Sequence, residues 1–215
     1  SVVEKSDMKM TCFIQPQADY TDDIEPKSGN LEFYLKQMKE QSAEAGISLE
    51  YQKLDKAEDK VTKDTEFFEN EKINYRFGAA FAKEKDLKGI LKDTDSGLLG
   101  DVGTLVCDYT ENQPVVSYYS DSVTLQTVTS DGMNYAYSDD IRMRSIQTAL
   151  GYTNVMLDMY DIFWPQEKTD RWEVMQKRFS SNLLTYWKNF RDFDSTTLSE
   201  SNARIRKFLN LAYSQ

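Results

Sequence analysis

The chain has 215 residues, a formal net charge of -10 at pH 7 and no histidine. The charge argues against nucleic acids and anionic membranes as partners, because a surface of the same sign repels both. The missing histidine excludes Ser-His-Asp and Cys-His nucleophiles and histidine-ligated metal sites. Any chemistry must therefore use carboxylates, Arg, Lys, Tyr or a bound hard cation.

Composition indicates a folded globular chain. Hydrophobic residues make up 40% and aromatic residues 13%, which argues against disorder, and the length fits a single domain over residues 1–215. No apolar run approaches the ~20 residues of a membrane helix, so no membrane insertion is expected. The start SVVEKSDMKM shows no signal peptide and lacks Met, so a piece of a longer chain is an alternative. Cys12 and Cys107 are expected to be buried thiols, with a disulfide as the alternative.

The first half of the chain alternates strand and helix patterns. Apolar or alternating runs predict strands at 10–15, 47–52, 75–81 and 104–109. Apolar residues at helical spacing predict helices at 31–38, around Phe67 and Phe68, and at 83–92. The first helix is expected to end at Gly46, and residues 52–66 are expected to form a charged loop.

The second half continues the alternation and then becomes helical. Strands are predicted at 115–119, 123–128 and 155–159, with a turn at Asp131-Gly132. Predicted helices run from a cap at Ser138 or Asp139 to Gly151, from Thr169 along a Trp/Phe stripe to Phe190, and onward from a capping box at Thr197–Glu200. The pattern predicts an α/β fold with a largely parallel sheet, a TIM-like (β/α) barrel or partial barrel, with two C-terminal helices.

Candidate site residues follow the predicted strands, at the edge where parallel α/β folds carry their active sites. The candidate catalytic carboxylates are Asp22, Asp23, Asp158 and Asp161. The candidate substrate-binding residues are Tyr20, Arg76, Asp108, Tyr137, Asp139, Asp140, Arg142 and Trp164. Rings that stack on sugars beside carboxylates that bind hydroxyls favour a carbohydrate site. The alternative is that these aspartates only form turns and helix caps, and that Arg142 only forms a structural ion pair.

Paired carboxylates also suit hydrolysis of a glycosidic bond. A retaining pair lies ~5 Å apart and an inverting pair ~6.5–9.5 Å apart. The sequence contains no complete metal site, no GxGxxG, no P-loop and no nucleophile elbow, so neither a metal nor a cofactor is predicted and a small-molecule enzyme has no fingerprint here.

Five segments carry a family likeness. FIQPQADYTDD (13–23), the helix with LEFYLKQMKEQ (31–41) and ISLEY (47–51) give a buried strand with a paired aspartate, a helix and a second strand. Tyr75-Arg76-Phe77-Gly78 is an Arg–Gly motif on a strand, and VMLDMYDIFWP (155–165) is a late strand followed by a loop. In this order the chain resembles the polysaccharide-deacetylase barrel family, and its C-terminal portion resembles the end of large bacterial deacetylase-like proteins of unknown function.

The resemblance implies a (β/α) barrel that acts on or binds a bacterial polysaccharide, at the cell envelope or outside the cell. That family holds its metal with an aspartate and two histidines, and this chain has no histidine. Asp22 or Asp23 would occupy the metal and base positions without partners. The resemblance therefore implies a carboxylate-based, glycoside hydrolase-like site or a degenerate deacetylase that keeps its sugar cleft. The alternative is a non-catalytic scaffold or interaction domain of a larger cell-envelope protein, of undetermined oligomeric state.

Overall fold

The computed structural model describes residues 8–14, 16, 30–48, 57–73, 102–109, 112–132, 137–157, 172–182 and 194–214. The strands in these ranges are β1 (Thr11–Ile14), β2 (Glu44–Ile47), β3 (Thr104–Cys107), β4 (Val116–Tyr118), β5 (Thr124–Thr127), β6 (Ser130–Asp131) and β7 (Val155–Met156). The helices are α1 (Asn30–Glu40), α2 (Ala57–Asn70), α3 (Tyr137–Leu150), α4 (Trp172–Asn182) and α5 (Leu198–Tyr213). The predicted strand at 75–81, the helix at 83–92 and the cap Thr169 lie outside the described residues.

The chain forms two compact units. The larger unit comprises Lys9–Gln126 and Thr196–Gln215, and the smaller unit comprises Ser1–Met8 and Thr127–Ser195. The prediction that residues 1–215 are one domain stays a prediction.

Short sheets confirm the α/β class. In the larger unit, β1 pairs with β2 in parallel and a three-stranded sheet has the order β3-β5-β4, with β4 and β5 antiparallel. In the smaller unit, β6 pairs with β7 in parallel. The described strands form no closed barrel, so the TIM-like barrel is not confirmed, whereas the two C-terminal helices are present as α4 and α5.

The strands of the larger unit have two different faces, because side chains alternate along a strand. One face meets α1 and α2 in an apolar core that includes Ile14, Leu35, Ala45, Ile47, Phe68, Leu105, Cys107 and Leu125. The opposite face of β3 and β5 carries the buried polar residues Thr104, Thr124 and Gln126 and lies under α5. α5 buries Leu198, Asn202, Ile205 and Leu209, which are spaced along one side of the helix.

The ends of α1 and α2 differ from the prediction. α1 ends at Glu40 rather than at Gly46, and Gly46 lies inside β2. Each helix closes with paired backbone bonds around a residue at positive φ, Ser42 (52°) and Lys72 (56°). This is the Schellman arrangement, in which glycine is usual. The sequence therefore does not mark either end, and β2 begins three residues earlier than predicted.

The charged segment 52–66 is not the predicted loop throughout, because α2 begins at Ala57. Glu and Lys have good helix propensity, so a charged segment forms a helix when one side of it reaches a core. Phe68 provides that contact, since it is fully buried among the core residues.

The smaller unit corrects one predicted turn and confirms one helix end. Asp131 belongs to β6 and not to the turn, whereas Gly132 forms a bend directly after the strand and its N–H donates to Met156 O at 2.7 Å. A Cβ at Gly132 would lie 2.6 Å from Leu157 Cδ2, which explains the glycine by close approach. α3 ends, as predicted, at Gly151 with φ of 62°.

The two cysteines are thiols, as expected. Cys12 is half-buried in β1 and Cys107 is buried in β3, without a disulfide between them. Burial raises the pKa of the Cys12 thiol to about 11. Of the helices described, none is long and apolar enough to span a membrane.

Candidate functional site

Most of the predicted site lies outside the described residues. This holds for the carboxylates Asp22, Asp23, Asp158 and Asp161 and for the binding candidates Tyr20, Arg76 and Trp164. The backbones of Tyr137, Asp139 and Asp140 form the first turn of α3, so Ser138 and Asp139 follow the start of this helix instead of preceding it.

Asp108 and Arg142 are described with their side chains. Asp108 directly follows β3, is half-buried, and has no hydrogen bond or ion pair with another described residue. Arg142 is half-buried in α3, and its Nε donates to Thr129 O at 3.3 Å. This contact ties α3 to the backbone after β5, and both roles predicted for Arg142, ligand binding and an ion pair, stay predictions.

A different group of side chains forms a coherent surface in the larger unit. Tyr118 ends β4, while Arg206, Asn210 and Tyr213 are spaced at i, i+4 and i+7 along α5 and therefore share one side of that helix. The Tyr118 and Tyr213 rings lie 6.3 Å apart between centroids at 41°. These four residues are called the tyrosine platform here.

Tyr118 organises the platform by contacting its three other members. Its hydroxyl donates to Asn210 Oδ1 at 2.7 Å, and Arg206 Cζ lies 5.8 Å from its ring centroid. The second distance is within the range of a cation–π contact. Tyr118 is half-buried, but 72% of Tyr213 is exposed, so Tyr213 offers an open ring face.

Backbone carbonyls hold the Arg206 guanidinium. Its Nη2 donates to Gly103 O at 3.3 Å and also contacts Ser122 O. No carboxylate in the described ranges pairs with Arg206, and its Nε and Nη1 make no hydrogen bond there. Arg206 is therefore a fixed cation with donors to spare.

The tyrosine platform lies at the opposite end of β3 from Asp108, the candidate residue that directly follows this strand. Gly103 immediately precedes β3, and Tyr118 pairs with Thr124, the first residue of β5. Asp108 instead follows the last residue of β3. The expectation that binding groups gather after the strands therefore does not lead to this surface.

A buried polar network fixes α5 beneath the platform. The Thr124 hydroxyl donates to Asn202 Oδ1 at 2.6 Å and is also hydrogen-bonded to Thr104 Oγ1 at 2.7 Å. Gln126 Nε2 donates to Thr104 Oγ1 at 3.0 Å, and Ser201 Oγ donates to Gln126 Oε1 at 2.7 Å. Satisfied buried networks of this kind hold elements in one geometry, so the platform stands on a rigid base.

The start of α5 is anchored as well. Thr197 and Glu200 form the predicted capping box. The Glu44 carboxylate of β2 accepts from Thr11 Oγ1 at 2.9 Å and from the Ser199 N–H at 3.1 Å. Hydrogen bonding from Lys9, then the backbone of Thr197, lowers the pKa of the exposed Glu200.

Two other features are weaker candidates. An open cleft of about 560 Å³ lies between α1 and α2, lined by Leu31, Glu32, Leu35, Lys36, Lys39, Glu40, Phe67 and Glu71. Two lysines and three glutamates line it, so charges of both signs are mixed at its rim and favour no ligand of one sign strongly. In the smaller unit, Gln147, Thr153 and Asn154 have buried side-chain atoms without hydrogen-bond partners. Such atoms lower stability unless water reaches them.

Comparisons with known proteins assign no family. No protein-family model, no curated protein and no solved structure matches this chain. Within the described residues, no three Cys, Asp or Glu side chains form a group that could hold a metal ion. The polysaccharide-deacetylase resemblance therefore stays a prediction.

Proposed function

We propose that this chain is a carbohydrate-binding domain that engages a bacterial polysaccharide, at the cell envelope or outside the cell. The observation that carries the proposal is the exposed ring of Tyr213, held beside Tyr118 with the polar groups of Asn210 and Arg206 on the same side of α5. An aromatic face covers the apolar C–H face of a sugar ring, and adjacent amide and guanidinium groups bond its oxygens.

The geometry of the platform suits a sugar better than an apolar ligand. The Tyr213 ring is largely exposed beside Tyr118, and helical spacing places the polar side chains of Arg206 and Asn210 on the same side of α5. The network under α5 holds these groups in place, so a ligand does not have to order them at the cost of binding free energy.

Hydrolysis is a further part of the proposal and would use other residues. Asp22 and Asp23, with Asp158 or Asp161 opposite, are the carboxylates proposed to cleave a glycosidic bond or to remain from a lost deacetylase site. A TIM-like or partial barrel that would bring these residues together is likewise proposed. The parallel pairing of β1 with β2 and of β6 with β7 supports it.

The test is a binding titration with acetylated and plain oligosaccharides, followed by calorimetry. Tyr213→Ala should weaken binding about tenfold or more, because it removes the stacking face. Phe33→Ala is the matched control, since Phe33 is an exposed aromatic residue (58%) on α1, outside the platform. Binding that Tyr213→Ala leaves unchanged, or weakened equally by both variants, would contradict the platform.

Mass spectrometry of the same mixtures separates binding from catalysis. Loss of acetyl groups or chain cleavage that Asp22→Asn/Asp23→Asn abolishes would establish the carboxylate hydrolase. Unchanged sugars that still bind would establish a binding domain.

The alternative is a non-catalytic scaffold or interaction domain of a larger envelope protein. The observation that favours it is the pair Phe208 and Leu211, which lie one turn apart on α5 and are 48% and 62% exposed. If no sugar binds, light scattering of the protein and of Phe208→Ser/Leu211→Ser tests whether these residues join two copies of the chain.

A further inference from the structure

We infer that the tyrosine platform recognises an acidic sugar, and that Arg206 and Asn210 bind its carboxylate. This inference rests on the proposed carbohydrate-binding function and names the substrate class of the same surface. Three observations support it. Arg206 has no carboxylate partner in the described ranges, the unpaired polar groups of Arg206 and Asn210 are hydrogen-bond donors, and α5 carries a net positive charge.

The first observation concerns charge. The chain has 36 acidic and 26 basic residues, so a cation at its surface has many carboxylates available as partners. Arg206 nevertheless pairs with none in the described ranges, and backbone carbonyls hold it instead. Asp121, in the same turn as Ser122, makes no ion pair with it either. A cation held by neutral groups keeps its full charge for a ligand.

The second observation concerns hydrogen bonding. Asn210 is exposed and uses its carbonyl oxygen to accept the Tyr118 hydroxyl, which leaves the two N–H groups of its amide without a partner among the described residues. Arg206 has only donors, and its Nε and Nη1 have no acceptor among the described residues. A ligand at this surface therefore meets N–H donors, and a carboxylate offers two acceptor oxygens with a matching charge.

The third observation is the net positive charge of α5. Arg204, Arg206 and Lys207 lie on this helix, against Glu200 as its only carboxylate. An anionic ligand is therefore attracted to this helix although the whole chain is acidic. A uronic acid residue combines a sugar ring for Tyr213 with a carboxylate for Arg206 and Asn210.

The experiment compares two probes that differ only in charge. Calorimetry measures the binding of oligogalacturonate and of its methyl ester to the wild-type chain at low and at high salt. We expect the acid to bind about tenfold more tightly at low salt, with a smaller preference at high salt. Equal binding of acid and ester would overturn the acidic-sugar inference while leaving carbohydrate binding in place. If the chain binds neither probe nor any other sugar, both proposals are wrong.

Three variants assign the preference to residues. Arg206→Gln should remove the preference for the acid while keeping the binding of the ester. Asn210→Asp keeps an acceptor for the Tyr118 hydroxyl but replaces the outward donors by a negative charge, so it should also remove the preference. Lys207→Gln is the control for general charge, because Lys207 is exposed beside Arg206 but does not share the stripe of platform residues.

The variants also separate recognition from structural support. A preference that survives in both Arg206→Gln and Asn210→Asp, or that Lys207→Gln removes equally, would place the acid elsewhere and overturn the inference. If Arg206→Gln lowers the melting temperature enough to prevent binding measurements, Asn210→Asp and the wild-type comparison still decide the outcome.

Discussion

The polar side chains under α5 and those at the end of α3 are buried in opposite ways. Under α5, Thr104, Thr124 and Asn202 belong to one hydrogen-bonded network. At the end of α3, the amide of Gln147 in its last turn and the hydroxyl of Thr153 just after it are also buried but have no partner. Burying the first group destabilises the fold little, because its hydrogen bonds replace those to water. Burying the second group destabilises the fold, because the lost hydrogen bonds to water are not replaced.

The comparison identifies the region in which hydrogen bonds fix the geometry of buried side chains. The satisfied network lies beneath the helix that carries the tyrosine platform, so precision there supports a binding surface. The same chemical change, a threonine hydroxyl replaced by a methyl group, should therefore have opposite effects in the two regions.

The largest expected effect is that of Thr124→Val. It removes two hydrogen bonds and leaves Asn202 Oδ1 without its donor, so the free energy of unfolding should fall by about 2–3 kcal/mol. Urea denaturation measures it. Thr148→Val, at an exposed position of α3, should change stability by less than about 0.5 kcal/mol. Equal effects of the two variants would show that the network contributes nothing.

The second-largest effect is a loss of stability at alkaline pH, which also concerns the larger unit. The pKa of the Cys12 thiol is raised from 9.0 to about 11, so the folded chain holds this proton over a range in which the unfolded chain has lost it. The stabilisation is complete below pH 9 and is lost as the pH rises through 11. At pH 10.5 it has fallen by about 2 kcal/mol. Urea titrations of wild type and Cys12→Ala at pH 8 and pH 10.5 measure this difference, and parallel losses in both would contradict it.

In the smaller unit, Thr153→Val is expected to raise the free energy of unfolding instead of lowering it. The variant has nearly the same shape and removes a buried hydroxyl that has no partner, so stability should rise by about 1 kcal/mol. Thr129→Val is the matched control. Its hydroxyl donates to Asn154 O at 3.0 Å and accepts from Asn154 N–H, so this variant should destabilise the chain. Thermal melts compare the two, and a loss of stability in both would remove the contrast between the regions.

The smallest effect concerns the exposed pair of Lys9 and Glu200. Because the pKa of Glu200 is lowered, its charge stabilises the fold above pH 4.5, and this contribution disappears as the pH falls through the lowered value. Glu200→Gln keeps the capping bond, so at pH 7 it should cost about 0.5 kcal/mol or less, in line with exposed ion pairs. The difference in stability between Glu200→Gln and wild type should be present at pH 7 and should shrink as the pH falls below 4.5.

Local signals predicted much of the fold. The capping box at Thr197–Glu200, the glycine that ends α3 and the buried strand β3 were predicted because each depends on neighbouring residues. The ends of α1 and α2 were not, since Ser42 and Lys72 adopt a conformation that their side chains do not favour. The local turn signal at Asp131-Gly132 does not show that Asp131 lies in β6 or that Gly132 packs closely against Leu157, because both features depend on residues distant in sequence.

The candidate site was less predictable than the fold. The spacing of Arg206, Asn210 and Tyr213 is visible in the sequence. Polar and aromatic residues are common on the exposed side of a helix, however, so this spacing alone does not indicate a site. Tyr118, about ninety positions earlier, completes the proposed site, and only folding brings it there. The carboxylates predicted as catalytic lie outside the described residues, so their role stays a prediction.

By itself the sequence determined the α/β class, the acidic charge, the chemistry excluded by the absence of histidine and the start of α5. These follow from composition and from contacts within a few residues. The tertiary structure alone decided which face of each strand is polar, which buried hydroxyls are satisfied and where an aromatic ring stands open beside a fixed cation. Those properties depend on contacts between residues far apart in the chain, and no local pattern encodes their geometry.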